Sequence, residues 1–288
     1  LRKRFNASPA LPNRENSGLE TGKPLKNSET SFRPAAILMA AVLFFAACAQ
    51  MPVRRPGPGM PETEDVRAMG AAAELDRLNQ ELLSFSGVGQ LTVKRKGQVR
   101  LRERVAWIGA APDRLSMVVF ISGFPGVRVA TDGQWVYIIE PRENKPVFRQ
   151  VRASDASLAH ITGIEISFED IVELLRGRIP LSDFRTALLT PEGDDRQNEL
   201  ALKKWWGTFQ KITLEADDSQ PLAMIRYDRS GKMRYQAVFE ETQRVGGFRV
   251  PQRLRILNGE DAEFSLSMDR YLPNVDVSAD QFVLEPIQ

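Results

Sequence analysis

Between residues 85 and 272 the chain alternates apolar and polar residues in short runs divided by turn signals, a period-two pattern that excludes an all-helical fold. Successive side chains of a strand point to opposite faces, so alternation marks strands buried on one side. Val99, Leu101, Val105 and Trp107 are expected to face one way, and Arg100, Arg102 and Arg104 the other. Residues 85–96 are the hairpin partner of this strand, with Lys96-Gly97-Gln98 at the turn. Residues 114–121 and 134–139 are apolar on both faces, which predicts central or covered strands. Asp132-Gly133 is a hairpin signal between 127–130 and 135–139. After the turn-forming stretch 191–198, strands resume at 199–205, 209–216, 222–228, 232–240, 248–257 and 262–272. Asp228-Arg229-Ser230-Gly231 and Asn258-Gly259 supply turns, and Pro251 marks an edge or a bulge.

Three segments carry helical spacing instead. Val66, Met69, Ala73, Leu78 and Leu82 predict an amphipathic helix over 66–83, with Glu74 and Arg77 off its apolar face. Residues 154–161 read as a short helix. Ser167-Phe168-Glu169-Asp170 is a capping-box-like start with Asp at the place of Glu or Gln. It opens a helix with Phe168, Ile171, Val172 and Leu175 on one face, which Gly177 stops. The fold class is therefore mainly β with some helix (α+β), with about eleven antiparallel strands in meander order, and open sheets of that size curl or close. The concave face of a curled sheet needs a cover, and the middle helices are available for it. The expected object is an unclosed antiparallel β-barrel with a leading helix and short lid helices over an apolar cavity.

The lining candidates are Trp107, Met117, Val119, Ile121, Trp135, Tyr137, Ile139, Phe168, Ile171 and Leu175. Each alone reads more readily as plain core; the functional reading is collective. An apolar cavity that gains about 25 cal/mol per Å² of buried hydrocarbon needs no catalytic group.

Ahead of the strands, Arg33 precedes an apolar run, 35–47, that abuts Cys48, the sole cysteine. The run is shorter than the roughly 20 residues a bilayer span needs, and it reads as the apolar region of a secretory signal peptide. Phe45-Ala46-Ala47-Cys48 resembles the bacterial lipobox, with Phe in place of Leu at its first position. That resemblance implies cleavage before Cys48 and acylation of this residue. A lone cysteine has no disulfide partner. Residues 1–47 are thus expected to be leader and signal peptide, 48–65 a lipidated tether, and 66–288 the folded domain. Pro52, Pro56, Pro58 and Pro61 exclude a helix or central strand from the tether. Residues 1–32 are long for a leader, and a start at Leu25 would leave a conventional one carrying Lys26 and Arg33. Ala49 after the cysteine resembles the outer-membrane address of enteric lipoproteins.

The chain has 39 Lys and Arg against 37 Asp and Glu, a net charge of +2, so nothing demands a nucleic-acid partner. Lys94, Arg95, Lys96, Arg100, Arg102 and Arg104 form a basic stripe, read either as a solvated strand face or as a contact for anionic headgroups. One histidine, His160, and the lack of CxxC, HExxH, G-x-S-x-G or a phosphate-binding Gly-rich loop leave little for metal or nucleophile chemistry. No metal, no cofactor and no enzymatic activity are expected, and His160 reads as structural or surface. Trp205-Trp206 follows Lys203-Lys204. One indole is expected to pack inward and one to cover the sheet, interfacial anchoring being the alternative.

Three segments in order carry a resemblance to a known family. They are Gly89-Gln90-Leu91-Thr92-Val93-Lys94-Arg95, then Thr131-Asp132-Gly133-Gln134-Trp135-Val136-Tyr137, then residues 163–177. With the lipobox, this order resembles the LolA/LolB family of lipoprotein carriers and receptors, over most of residues 72–272. The resemblance implies a half-barrel under helices whose cavity takes acyl chains from a periplasmic LolA-like carrier and releases them into the outer membrane. LolB is itself a lipoprotein and LolA is not, so Cys48 points to the LolB branch. That branch has a protruding loop after its third strand, with an exposed apolar residue that serves delivery to the membrane. Here residues 121–127 lie at that place; Gly123, Pro125 and Gly126 imply an irregular loop. Phe124, beside Pro125, is then its apolar tip, or folds back onto the core. The expected protein is a monomer, lipid-anchored at the periplasmic face of the outer membrane. Its alternatives are a lipoprotein that shuttles a free lipid or other apolar molecule, and a structural envelope lipoprotein that docks a protein partner.

Overall fold

The computed structural model describes residues 66–143, 145–155, 163–192, 197–217, 220–259 and 261–286. Cys48, His160 and most of the helix expected over 154–161 lie outside these residues. After helix α1 (Val66–Arg77) come β1 (Ser84–Arg95), β2 (Gln98–Ala110), β3 (Arg114–Ile121), β4 (Phe124–Thr131), β5 (Trp135–Glu140) and β6 (Val147–Arg152). Helix α2 (Phe168–Leu175) follows, then β7 (Thr186–Glu192), β8 (Gln197–Lys204), β9 (Gly207–Glu215), β10 (Pro221–Tyr227), β11 (Met233–Val245), β12 (Phe248–Leu257) and β13 (Ala262–Pro273).

All thirteen strands form one sheet in the order β6-β5-β4-β3-β2-β1-β13-β12-β11-β10-β9-β8-β7. Every pairing is antiparallel. The chain runs outward from β1 to one edge, passes through α2 to the other edge, and returns until β13 closes against β1. The sheet is an unclosed barrel with β6 and β7 as its free edges. These two strands account for the difference from the expected eleven or so. β6 is nowhere fully buried, and β7 carries Pro191. β6 is covered by little and has no need to alternate, whereas β7 lies under α1 and buries Ala187, but its short run Ala187-Leu188-Leu189 is apolar without interruption and so carries no period-two signature.

Two local expectations change. The buried face of α1 is Ala68, Ala71, Ala72 and Leu75, whereas Val66 is 85% exposed and Met69 is 39% exposed. Small side chains allow the helix to approach closely, so packing chose the alanine stripe over the bulkier residues. In β2, the ladder slips between Val93 and Lys94, so Leu101 faces Val93 while Val99 faces Lys94. That bulge turns Val99 outward, half exposed, and leaves Trp107 and Val105 inward. Pro251 sits where β11 and β12 slip register and beyond the β12–β13 ladder, which begins at Arg253, so its missing N–H breaks no pairing on that side.

The inner face packs around the β1–β13 seam. Gly87 pairs with Trp107 and with Tyr271. A Cβ at Gly87 would stand 2.4 Å from the Trp107 ring, so the indole occupies the space of the absent side chain. Beside it, Phe85 stacks on Tyr271 with ring centroids 5.8 Å apart.

Candidate functional site

The concave face and the chain segment lying on it form the candidate site. Trp107 pairs directly with Met117, and Val105 with Val119. All four are buried and belong to one apolar core with Phe168, Ile171 and Leu175 of α2. Ile121 continues the same face of β3 at the rim, 39% exposed. The remaining three lining candidates lie elsewhere. Val129 pairs with Met117 and with Ile138, and Thr131 pairs with Leu115 and with Val136, so the inward residues of β5 are Val136 and Ile138. Trp135, Tyr137 and Ile139 consequently point to the outer face. Tyr137 and Ile139 are buried there, outside the inner core, and Trp135 is half-buried under Arg152. On that outer side the C-terminal 3-10 turn Ala279–Phe282 sits against β3, with the Arg114 guanidinium 5.5 Å from the Phe282 ring centroid. A strand apolar on both faces gives no parity signal, which is why the inward set could not be read from β5 itself.

Helix α2 starts as its sequence dictates. Ser167 is extended, and its Oγ accepts the Asp170 N–H at 3.0 Å; Gly177 (φ +74°) ends the segment. Phe168, Ile171, Val172, Leu174 and Leu175 are all buried, leaving only the Glu169, Asp170 and Glu173 positions less covered.

Inward-pointing polar side chains hold this segment at successive points. Asn258 Nδ2 donates to Gly163 O at 2.8 Å. Tyr235 Oη donates to Asp170 Oδ2 at 2.6 Å, and Arg226 Nη2 lies 3.7 Å from Asp170 Oδ1. Tyr271 Oη donates to Leu175 O at 3.2 Å. Gln210 Nε2 and Arg226 Nη2 both donate to Pro180 O, at 3.2 and 2.8 Å.

A second cluster fixes the C-terminal end of α2 to the α1–β1 connection. Glu173 accepts from Arg176 through Oε1 and from Arg178 Nε through Oε2 at 2.6 Å. Arg176 Nε donates to Leu82 O at 2.6 Å, Arg178 Nη1 to Leu78 O at 2.8 Å, and Asn79 Nδ2 to Arg176 O at 2.7 Å. Burial pulls the Arg176 guanidinium below its ordinary value, with Glu173 pulling back. Burial, then the Asp170 charge, pushes the Tyr235 phenol up. Burial also raises Glu169, helped by the carboxylates of Asp170, Asp113 and Glu173 and opposed by Arg226.

None of these holding residues was among the lining candidates, although the sequence carries a signal for several. Gln210 and Arg226 stand at inward positions of strands whose other inward residues are apolar, such as Ile212, Leu214 and Met224. A polar residue in that phase must find a partner inside. Two inward polar atoms, Trp107 Nε1 and Gln210 Oε1, have no hydrogen-bond partner among the described residues.

Clefts open at both ends of the lid. One of about 400 Å³ lies at the N-terminal end of α2, lined by Ile166, Phe168, Glu169, Thr131, Ala153 and Arg234 among others. Another of about 890 Å³ separates α1 from residues 181–184, with Met69, Ala72, Leu181, Phe184 and Lys204 in its walls.

The β3–β4 connection is a two-residue turn, Ser122-Gly123, with φ of +52° and +85°. Such a turn matches the twist of paired strands, so the irregular loop expected at 121–127 is replaced by a tight hairpin. Phe124 is the first residue of β4, opposite Ile121, and is 76% exposed; it does not fold back onto the core. Pro125 pairs with Phe120 at the following, bulged position and is also exposed. At the β8–β9 turn, Trp206 packs edge-on to Phe209 with ring centroids 6.4 Å apart. Trp205, by contrast, is 79% exposed and covers no part of the sheet.

No protein-family model and no curated protein matches the sequence. Solved structures do match the fold. A DUF1329 family protein from Desulfovibrio piger superposes with a TM-score of 0.53 at 16% identity, over 75% of this chain and 96% of that one. The LolA superfamily protein NE2245 from Nitrosomonas europaea gives a TM-score of 0.53 at 13% identity, over 75% of this chain and 97% of that one. The unclosed antiparallel sheet of this chain, with helices against it, is thus the LolA-like fold.

Proposed function

We propose that this protein is a LolB-like lipoprotein, anchored by acylated Cys48 in the outer membrane. It accepts lipidated proteins from a periplasmic LolA-like carrier and passes their acyl chains to the bilayer. The observation that supports this most is α2 on the concave face: an apolar helix on an apolar trough, held at its ends by polar contacts that can be broken separately. Displacing the helix uncovers Trp107, Met117 and Val119, together with Val129, Val136 and Ile138. Trp107 Nε1 and Gln210 Oε1 offer a donor and an acceptor to an ester- or amide-linked acyl group.

The energies fit a transient occupant. The five buried side chains of α2 gain about 7–15 kcal/mol from burial at ~1.5–3 kcal/mol each. A sixteen-carbon acyl chain gains on the order of 13 kcal/mol at ~0.8 kcal/mol per methylene. Exchange of helix for chain is therefore close to balanced, as a receptor that must release its cargo requires. No step needs a catalytic group. The exposed Phe124, with Pro125 behind it at the tip of the β3–β4 hairpin, is the element that meets the membrane during release.

The reading is tested by depleting the protein from the cell that makes it and fractionating the envelope. Lipoproteins should accumulate in the periplasm or inner membrane. Unchanged lipoprotein distribution after depletion would contradict it.

A further inference from the structure

Phe124 and Trp205 are the exposed aromatic side chains among the described residues, and the antiparallel order places both at the same end of the strands. That end also carries the β1–β2, β10–β11 and β12–β13 turns. The surroundings of Trp205 give it a chemistry of its own. Its neighbour Trp206 turns back toward Phe209, and Lys204 Nζ lies 4.8 Å from the same Phe209 ring. Between the β8–β9 turn and the β10–β11 turn runs a cleft of about 400 Å³, lined by Trp206, Thr208, Lys211, Tyr227, Arg229 and Ser230.

The acidic groups here are already engaged. Asp228 accepts from Ser230 N at 2.8 Å, Ser230 Oγ at 2.6 Å and Lys232 N at 3.0 Å, while Glu199 pairs with Lys211 at 2.8 Å. Arg229 and Lys232 remain exposed. The result is one protruding indole at the β8–β9 turn and two exposed cations, Arg229 and Lys232, at the β10–β11 turn across the cleft.

We propose that the β8–β9 and β10–β11 turns form a contact surface for an anionic bilayer. The Trp205 indole lies at the boundary between headgroups and acyl chains, with Arg229 and Lys232 over lipid phosphates. An indole favours that depth because one end is apolar and the other a hydrogen-bond donor. A protein partner fits less well: an aromatic hot spot in a protein interface is ringed by contacts that exclude water, and the side chains exposed on the neighbouring turn, Arg229 and Lys232, are cationic. The inference stands apart from the cargo-transfer reading, since a tethered domain of any purpose could rest on a membrane through this end.

The test uses the full chain on phosphatidylglycerol/phosphatidylethanolamine vesicles whose acyl chains carry bromine, with tryptophan fluorescence as the readout. Quenching should be clear in the wild type and fall by about half or more in Trp205→Phe, which keeps an apolar ring but removes the reporter. It should fall similarly in Arg229→Gln/Lys232→Gln, and at about 0.5 M salt, where screening shortens the reach of charge. Unchanged thermal unfolding of these surface variants serves as the control for folding. Equal quenching in wild type and Trp205→Phe would overturn the proposal, as would equal quenching on phosphatidylcholine vesicles. Shielding of Trp205 from aqueous acrylamide by an added envelope protein but not by vesicles would also overturn it.

Discussion

Trp107 lies flat against the backbone of β1 because Gly87 has no side chain to hold it off, and this pairing sets the depth of the inner face. Gly87→Ala puts a methyl 2.4 Å from the indole and 2.8 Å from Arg270 O, so it should cost about 1–3 kcal/mol by overpacking. A urea midpoint indistinguishable from wild type would show that the ring can move aside freely. Glu169 makes an opposite prediction. Its folded pKa is raised, first by burial and then by three neighbouring carboxylates. A raised acid favours the folded state below its unfolded value, and that contribution is lost as pH rises through the folded value. Glu169→Gln should therefore raise the melting temperature at pH 7, with the gain shrinking as pH falls through the raised folded value and gone once pH is below the ordinary glutamate value of 4.5. A gain that persisted undiminished in acid would exclude the electrostatic cause. Some single-residue chemistry was legible from sequence, as at Asp132-Gly133, where Asp132 Oδ1 accepts the N–H groups of Gln134 and Trp135 at 2.8 and 2.7 Å. The inward phase of β5 was not, because Trp135 to Ile139 are apolar without interruption and only the ladder to β4 decides which of them face the core.

Among the elements, α2 was legible in its cap, its stop and most of its buried face, Leu174 being the buried residue the spacing left out, because these are local chemistry. What holds it down is not local. Glu173 bridges Arg176 and Arg178 at side-chain exposures of 14%, 6% and 11%. Glu173→Ala leaves two buried guanidinium groups with only carbonyls and the more exposed Asp76, and should cost about 3 kcal/mol. Amide exchange at α2 should accelerate by the corresponding factor. A loss below about 1 kcal/mol would mean that the cluster's desolvation cancels its attraction. The leading helix shows the converse limit. Its spacing predicted a helix, yet the alanine stripe rather than Val66 and Met69 faces the fold. An amphipathic pattern identifies a helix more reliably than it identifies which of two plausible stripes the tertiary structure will use. Edge strands β6 and β7 escaped notice for other reasons: β6 buries no residue fully, and in β7 Ala187-Leu188-Leu189 is apolar without a break, so neither alternates.

For the molecule as a whole, the meander of strands predicted a curled open sheet, and the order of strands places the β1–β13 seam at its centre, with six strands on one side and seven on the other counting the seam strands themselves. The lid crosses between the two outer edges, so it spans both halves and contacts both β3 and β12. This arrangement lets one helix pack against strands of both halves of the sheet. Phe124, at the exposed tip of the β3–β4 hairpin, makes no contribution to that packing. Phe124→Glu should leave the unfolding midpoint within about 0.5 kcal/mol of wild type, as surface substitutions usually do, while slowing transfer of lipoprotein from carrier to vesicles. Unaltered transfer would remove the hairpin from the delivery step. The central claim is that acyl chains enter beneath α2. It is tested most directly by photo-crosslinking the full chain to a triacylated lipopeptide whose acyl chains carry a diazirine. Adducts should map to the inner residues of β2 and β3, such as Trp107, Met117 and Val119, and to the apolar face of α2. Adducts confined to outer surfaces, with the trough unlabelled at saturating lipopeptide, would contradict it.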